Sequence, residues 1–208
     1  MRRITTYGGL AASLILIAFG VGALVMGLDG RGTVRDNLKR EQIVGTPDMS
    51  PSAIRAELAK AGLKNIDVPS SSLAGATINT PSEARTFAEY MRLHTLLATG
   101  GQVYAEMGRY LDKAGKPTSD ETKAAIDPQT KKPVENGARN IWVNETALST
   151  ALNTTFFADR VALFSLIMGL ALLLTGIGFG VVTVRVLLGR KEQDEGQPAQ
   201  APGAVVTA

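Results

Sequence analysis

The run Val161 to Val184, VALFSLIMGLALLLTGIGFGVVTV, carries no charged residue and is bracketed by Arg160 and Arg185. Its 24 residues span roughly 36 Å as an α-helix, enough to cross a hydrocarbon core about 30 Å thick. A second charge-free run, Ile4 to Leu28, lies near the start of the chain. In a bilayer every backbone polar group must find its partner within the structure, so each run reads as a transmembrane helix. Beyond Met1-Arg2-Arg3, the remaining residues either join these two runs or follow the second.

This division gives an all-α membrane protein with two transmembrane helices and a helical extracytoplasmic domain between them. The expected boundaries are a cytoplasmic N-terminus at 1–4, a first span at 5–28, the outer domain at 29–160, a second span at 161–184, and a disordered cytoplasmic tail at 185–208. Met1-Arg2-Arg3 before the first run also fits the opening of a cleaved secretory signal. The run is long for such a signal, however, and no small-x-small site closes it, which favours an uncleaved anchor.

Orientation is read from flanking charges, and these conflict. Arg31, Arg35, Lys39 and Arg40 after the first run outnumber Arg2 and Arg3 before it, which alone places the connector inside. Arg185, Arg190 and Lys191 outweigh Arg139 and Arg160 around the second, which places the C-terminus inside. Long loops translocate largely regardless of charge. The expectation is therefore a cell-membrane protein with both termini cytoplasmic.

Small residues recur at four-residue spacing in the first run: Gly9/Ser13, Ala18/Gly22 and Ala23/Gly27. The second run carries Gly176 and Gly180. Such pairs let helix backbones approach closely in lipid. Ala18, Gly22, Gly176 and Gly180 are thus the residues expected to pack helix on helix, within the chain or in a homo-oligomer. Neither run has an internal Asp, Glu, Lys, Arg or His, the residues that mark ion paths and proton relays.

Composition narrows the chemistry. The sequence pI is about 9.3, yet the connector from Asp29 to Arg160 holds 17 basic against 16 acidic residues. That is no basic footprint, and nucleic acid is not expected as a partner. With no cysteine, disulfides, thiol chemistry and cysteine-ligated zinc are excluded. The only histidine, His94, has no companion His or Cys, and Glu89 and Glu106 stand at no ligand spacing from it. The sequence therefore predicts no tightly held transition metal, no cofactor and no catalytic residues. No GxSxG elbow, G-x-G-x-x-G or P-loop occurs.

Within the connector, Thr33 to Val44 continues the first helix until Gly45-Thr46-Pro47-Asp48 breaks it. Ser50-Pro51 starts the next helix as cap and first residue, with Ile54, Leu58 and Ala61 inward and Gly62 at its end. Ile66/Val68 and Ala76/Ile78 fit short extended pieces. Thr80-Pro81-Ser82-Glu83 is a capping box. It opens a helix whose Phe87, Met91, His94 and Ala98 face inward. Gly100-Gly101 is expected to kink or break that helix, after which Val103, Tyr104, Met107 and Leu111 resume its period. Gly115 to Gly137, with Pro117, Pro128 and Pro133, reads as an exposed loop with one helical turn near Asp120 to Ile126. From Ala138 a single helix is expected to run to Leu188, its outer stripe of Ile141, Leu148 and Leu152 packing on Val34, Leu38, Phe87 and Met91.

The segments TVRDNLKREQIVGTPDM (Thr33–Met49), TPSEAR (Thr80–Arg85) and PVENGARNIWVNETALSTALNTTFFADRVALFSLIMGLALLLTGIGF (Pro133–Phe179) resemble a family of actinobacterial two-pass membrane proteins. The resemblance extends over nearly all of the chain to Leu188. It implies a helical extracytoplasmic region and no established activity. Some similar sequences carry the label of aromatic ring-opening dioxygenases. A non-haem iron site of that type needs two His with a carboxylate, and one His does not supply it.

The expected function is that of a non-enzymatic envelope accessory or scaffold, embedded in the lipid bilayer and acting through protein partners or through self-association of its membrane helices. The alternative is an extracytoplasmic ligand-binding sensor. Since only 20 residues follow Leu188, a sensor of this form would be expected to signal to a separate output protein.

Overall fold

The computed structural model describes residues 2–195, with side chains described over 7–187. The fold is mostly helical: α1 (Arg2–Glu41), α2 (Pro51–Lys60), α3 (Pro81–Ala98) and α4 (Ala138–Glu195), with a two-stranded antiparallel piece, β1 (Tyr110–Leu111) and β2 (Pro117–Thr118), between α3 and α4. Its described residues divide into two compact units, one of those up to Asp29 with those from Val161 onward, and one of Gly30–Arg160. Helices α1 and α4 contribute residues to both.

The first unit is an antiparallel helix pair. Both α1 and α4 are long and apolar enough to cross a membrane, and only 11% and 17% of their most apolar windows are buried. Leu14, Phe19, Phe164, Ile167 and Leu174 are all exposed. Helices apolar all round and left uncovered belong in lipid rather than in water. On α4, Ser165 donates its hydroxyl back to the Val161 carbonyl at 3.1 Å and Thr175 to that of Ala171 at 2.7 Å.

Where the two helices touch, glycines bring backbone close to backbone. A Cβ at Gly20 would meet the Leu173 amide nitrogen at 2.7 Å and the Gly169 carbonyl oxygen at 2.9 Å. One at Gly169 would meet the Gly20 oxygen and the Leu24 nitrogen, both at 2.9 Å, and one at Gly176 the Ile17 nitrogen at 2.9 Å. Ser13 donates its hydroxyl to the Gly176 carbonyl at 2.7 Å, inside the contact. The buried positions are Ser13, Gly20 and Gly27 on α1 and Ala162, Gly169 and Gly176 on α4. Both sets recur every seven residues, the spacing that keeps one seam facing its partner.

This differs from the four-residue pairs expected from sequence. Gly176 lies in the seam, and Gly180 stands beside it, where a Cβ would meet the Ser13 hydroxyl at 2.8 Å. Ala18 and Gly22 lie outside it: both are exposed, and a Cβ at Gly22 would meet nothing within 4 Å. At 3.6 residues per turn, Gly22 is roughly 200° around the helix from Gly20. Four-residue spacing alone does not say which face of the helix the pairs occupy.

In the second unit the core is Leu38, Met49, Ile54, Leu58, Leu73, Ile78, Ala84, Ala88, Tyr90, Leu93 and Leu152. Local signals set its helices. Ser50 caps α2 through the Ala53 amide, and Gly62, at φ 73°, closes it with the Leu63 amide bonded to the Leu58 carbonyl at 2.9 Å. The capping box is formed: Thr80 accepts from the Glu83 amide at 3.3 Å, and Glu83 accepts from the Thr80 amide at 2.9 Å. Helix α1 ends at Gln42, which takes φ 51°, three residues ahead of the glycine expected to break it. Ile43 to Gly45 then pairs with Gly75 to Ile78 through four backbone hydrogen bonds or bridges, including Ile78 to Ile43 at 2.9 Å.

The middle of the chain is not wholly helical. Gly100 and Gly101, at φ 63° and 83°, end α3 outright, with their amides bonded to the Leu97 and Leu96 carbonyls. The helical period expected over Val103 to Leu111 is replaced by a short 3-10 turn, Tyr104–Glu106, and by β1. The stretch from Gly115 to Gly137, expected as a loop, is tied down. Leu111 bonds to Val134, Ala125 to Leu111, and Val134 to Ala125. Aspartates fasten its turns, Asp112 accepting from the Ala114 and Lys116 amides and Asp127 from those of Gln129 and Thr130. These amide contacts hold the Asp127 carboxyl below its ordinary pKa. A helical turn does occur where expected, at Glu121–Lys123.

Helix α4 runs without interruption from Ala138 to Glu195, so Arg185 to Glu195 are helical rather than tail. Residues 196–208 of the expected tail lie outside the described residues. The buried face of its first part is Trp142, Glu145, Leu152 and Asp159; Ile141 and Leu148 are exposed, at 41% and 53%. Trp142 sets that rotation, burying more area than Ile141 and donating its indole N–H to the Gln102 carbonyl at 2.9 Å.

The seam predicts an asymmetric response to bulk. Gly169→Leu should destabilise the protein by about 2 kcal/mol, in the range of overpacking a close contact, whereas Gly22→Leu should stay within about 0.5 kcal/mol. Unfolding in mixed micelles measures both; equal effects would contradict the assigned faces.

Candidate functional site

Three places in the second unit bring together side chains capable of binding. The first centres on His94. The capping box fixes the start of α3 and so the direction of His94, between three and four turns along. The turn before α2 carries Asp48, whose Oδ1 accepts the Thr46 hydroxyl. This bond, more than the nearby imidazole, holds the Asp48 carboxyl below its ordinary pKa against some desolvation. Asp48 Oδ2 then lies 3.3 Å from His94 Nε2. Glu57, exposed on α2 between the buried Ile54 and Leu58, completes a group whose three ligand atoms lie within 4.8 Å of one another.

The companions that the sequence did not offer His94 therefore come from the preceding turn and helix. Helical spacing tests only neighbours three or four residues away, and these donors are assembled by the packing of α2 on α3. The two carboxylates weighed from sequence are engaged elsewhere: Glu89 pairs with Arg85 at 3.5 Å, and Glu106 accepts from the Val103 amide at 3.0 Å.

The second place is a cleft of about 720 Å³ between residues 65–70 and α3, lined by Asp67, Glu89, Arg92, Leu93 and Leu96 among others. Arg92 also lies over the Trp142 ring, 5.1 Å from its centroid. The third is an apolar groove of about 580 Å³ lined by Leu38, Ile43, Phe87, Met91, Leu148 and Leu152. Of the hydrophobic set expected to meet there, Leu38, Phe87, Met91, Leu148 and Leu152 line the groove, and Val34 and Ile141 do not.

Two buried acids in α4 are handled differently. Asp159 pairs with Arg31 at 2.9 Å. Glu145, 5% exposed, makes no ion pair among the described residues and accepts hydroxyls instead, from Ser149 at 2.6 Å and Thr146 at 3.3 Å. Of the residues expected to act in helix packing, Gly176 and Gly180 lie together at Ser13 in the first unit, and Ala18 and Gly22 do not join them.

No family model matches the chain, and no curated protein or solved structure gives a significant match.

Removing the Ser149 hydroxyl leaves a buried carboxylate short of its closest donor. Ser149→Ala should cost about 1.5–3 kcal/mol, the range for hydrogen bonds to charged groups, in chemical denaturation followed by Trp142 fluorescence. A loss under about 0.5 kcal/mol would show that Glu145 is served by water.

Proposed function

We propose that this chain is a two-pass membrane protein of the cell envelope that acts as a non-enzymatic accessory or scaffold, with both termini cytoplasmic and residues 29–160 outside. The observation that carries this reading is the pair of long apolar helices, uncovered along most of their length and joined through a glycine seam. That arrangement suits an anchor that holds two segments in fixed register. It supplies no ionisable group to an ion path. The resemblance to actinobacterial two-pass proteins agrees with it, and the face carrying Ala18 and Gly22 remains available to a neighbouring helix or a second copy.

The sensor reading rests on the cleft beside α3, where Arg92, Glu89 and Asp67 offer charges of both signs above an apolar floor of Leu93 and Leu96. Purification in mild detergent with mass spectrometry separates the two. A stoichiometric envelope protein supports the scaffold, and a retained small molecule without a protein partner supports the sensor. The orientation has its own test. Alkaline phosphatase fused at Gly115 should be active and at the C-terminus inactive; the reverse pattern would overturn the proposed topology.

A further inference from the structure

The His94 cluster has a feature that an ordinary surface ion pair lacks. Nε2 of His94 is closed to solvent and has no hydrogen-bond partner, although Asp48 Oδ2 stands only 3.3 Å away. At that distance a well-aimed N–H would bond, so the imidazole is out of line with the oxygen. A buried nitrogen left without a partner is costly. The carboxylates are also unbalanced: neither Asp48 nor Glu57 has a Lys or Arg within 4.0 Å among the described residues.

We propose that Asp48, Glu57 and His94 bind a divalent transition cation, with Zn²⁺ the best fit, which ties the Thr46–Asp48 turn and α2 to α3. One imidazole nitrogen with two carboxylate oxygens is a donor set for zinc or its neighbours, whereas Mg²⁺ and Ca²⁺ prefer oxygen alone. Donors about 2.0–2.1 Å from a tetrahedral zinc lie roughly 3.3–3.4 Å apart, which the His94–Asp48 separation matches. Glu57 is the outlying member. Its side chain is exposed and so free to change rotamer, and its ligand atom already lies within 4.8 Å of the other two. Thr46 occupies Oδ1 of Asp48 and leaves Oδ2 turned towards His94, the kind of outer contact that orients a ligating carboxylate. Three protein donors leave a fourth position for water or for a side chain of another protein. The inference is independent of the scaffold reading and survives its failure.

The test uses the full chain in detergent micelles, titrated with ZnCl₂ against a fluorescent chelator, with thermal unfolding alongside. One equivalent should bind, and zinc should raise Tm where Mg²⁺ does not. His94→Gln should weaken binding at least tenfold and abolish the Tm rise. Glu57→Gln alters an exposed side chain and should leave the zinc-free Tm unchanged, so it decides the matter if His94→Gln proves unstable; it too should weaken binding at least tenfold. Thr46→Val should weaken binding about tenfold through the orientation of Asp48. Absence of a zinc-dependent Tm rise, or zinc binding undiminished in Glu57→Gln, would overturn the proposal and leave His94 and Asp48 as an ion pair only.

Discussion

The close approach of α1 and α4 depends on the absence of side chains at four glycines. At Gly20, Gly27, Gly169 and Gly176, backbone of one helix lies where the other's Cβ would be. Lipid supplies no hydrophobic force between two apolar helices, so their association rests on van der Waals contact and buried polar bonds. The seam provides both, the first through backbone contact and the second through Ser13 on the Gly176 carbonyl. A bulkier residue at any of the four positions would force the helices apart at the contact.

The second unit is held by different means. Its core is ordinary aliphatic packing around Ile54, Ile78 and Tyr90, and the tyrosine hydroxyl finds the Ser71 carbonyl at 2.9 Å. Burial raises the pKa of that phenol above its ordinary value. No disulfide is possible. The stretch between α3 and α4, which has little apolar material, is fastened instead by backbone bridges and aspartate-capped turns. Met107, Ala124 and Asn136 are its buried points, and Asn136 bonds both the Gly108 carbonyl and the first amide of α4.

What the sequence made legible was local. The Thr80–Glu83 box, the Ser50-Pro51 start and the long apolar runs each act over a few residues or by sheer length, and each is where the residues put it. Rotational phase was harder to read. The α4 stripe of Ile141, Leu148 and Leu152 had the right period, but Trp142 turned the helix so that only Leu152 faces inward. The small residues of α1 likewise had a readable spacing and an unreadable face. The strands at Tyr110 and Pro117 were hidden because two-residue pieces have no period. The grouping around His94 was hidden because its members belong to different elements, and sequence spacing has no term for tertiary packing.

The membrane anchor requires α1 and α4 to lie side by side, antiparallel, within one chain. A Cβ at Gly180 would lie 3.8 Å from that of Ser13, the usual separation across a disulfide, and the chain has no cysteine of its own to interfere. Oxidation of the Ser13→Cys/Gly180→Cys double variant in native membranes is therefore the most direct measurement. An intramolecular disulfide, formed in high yield and migrating as a single chain, is the predicted result. Crosslinking only between two chains, or none at all, would contradict the paired-helix anchor.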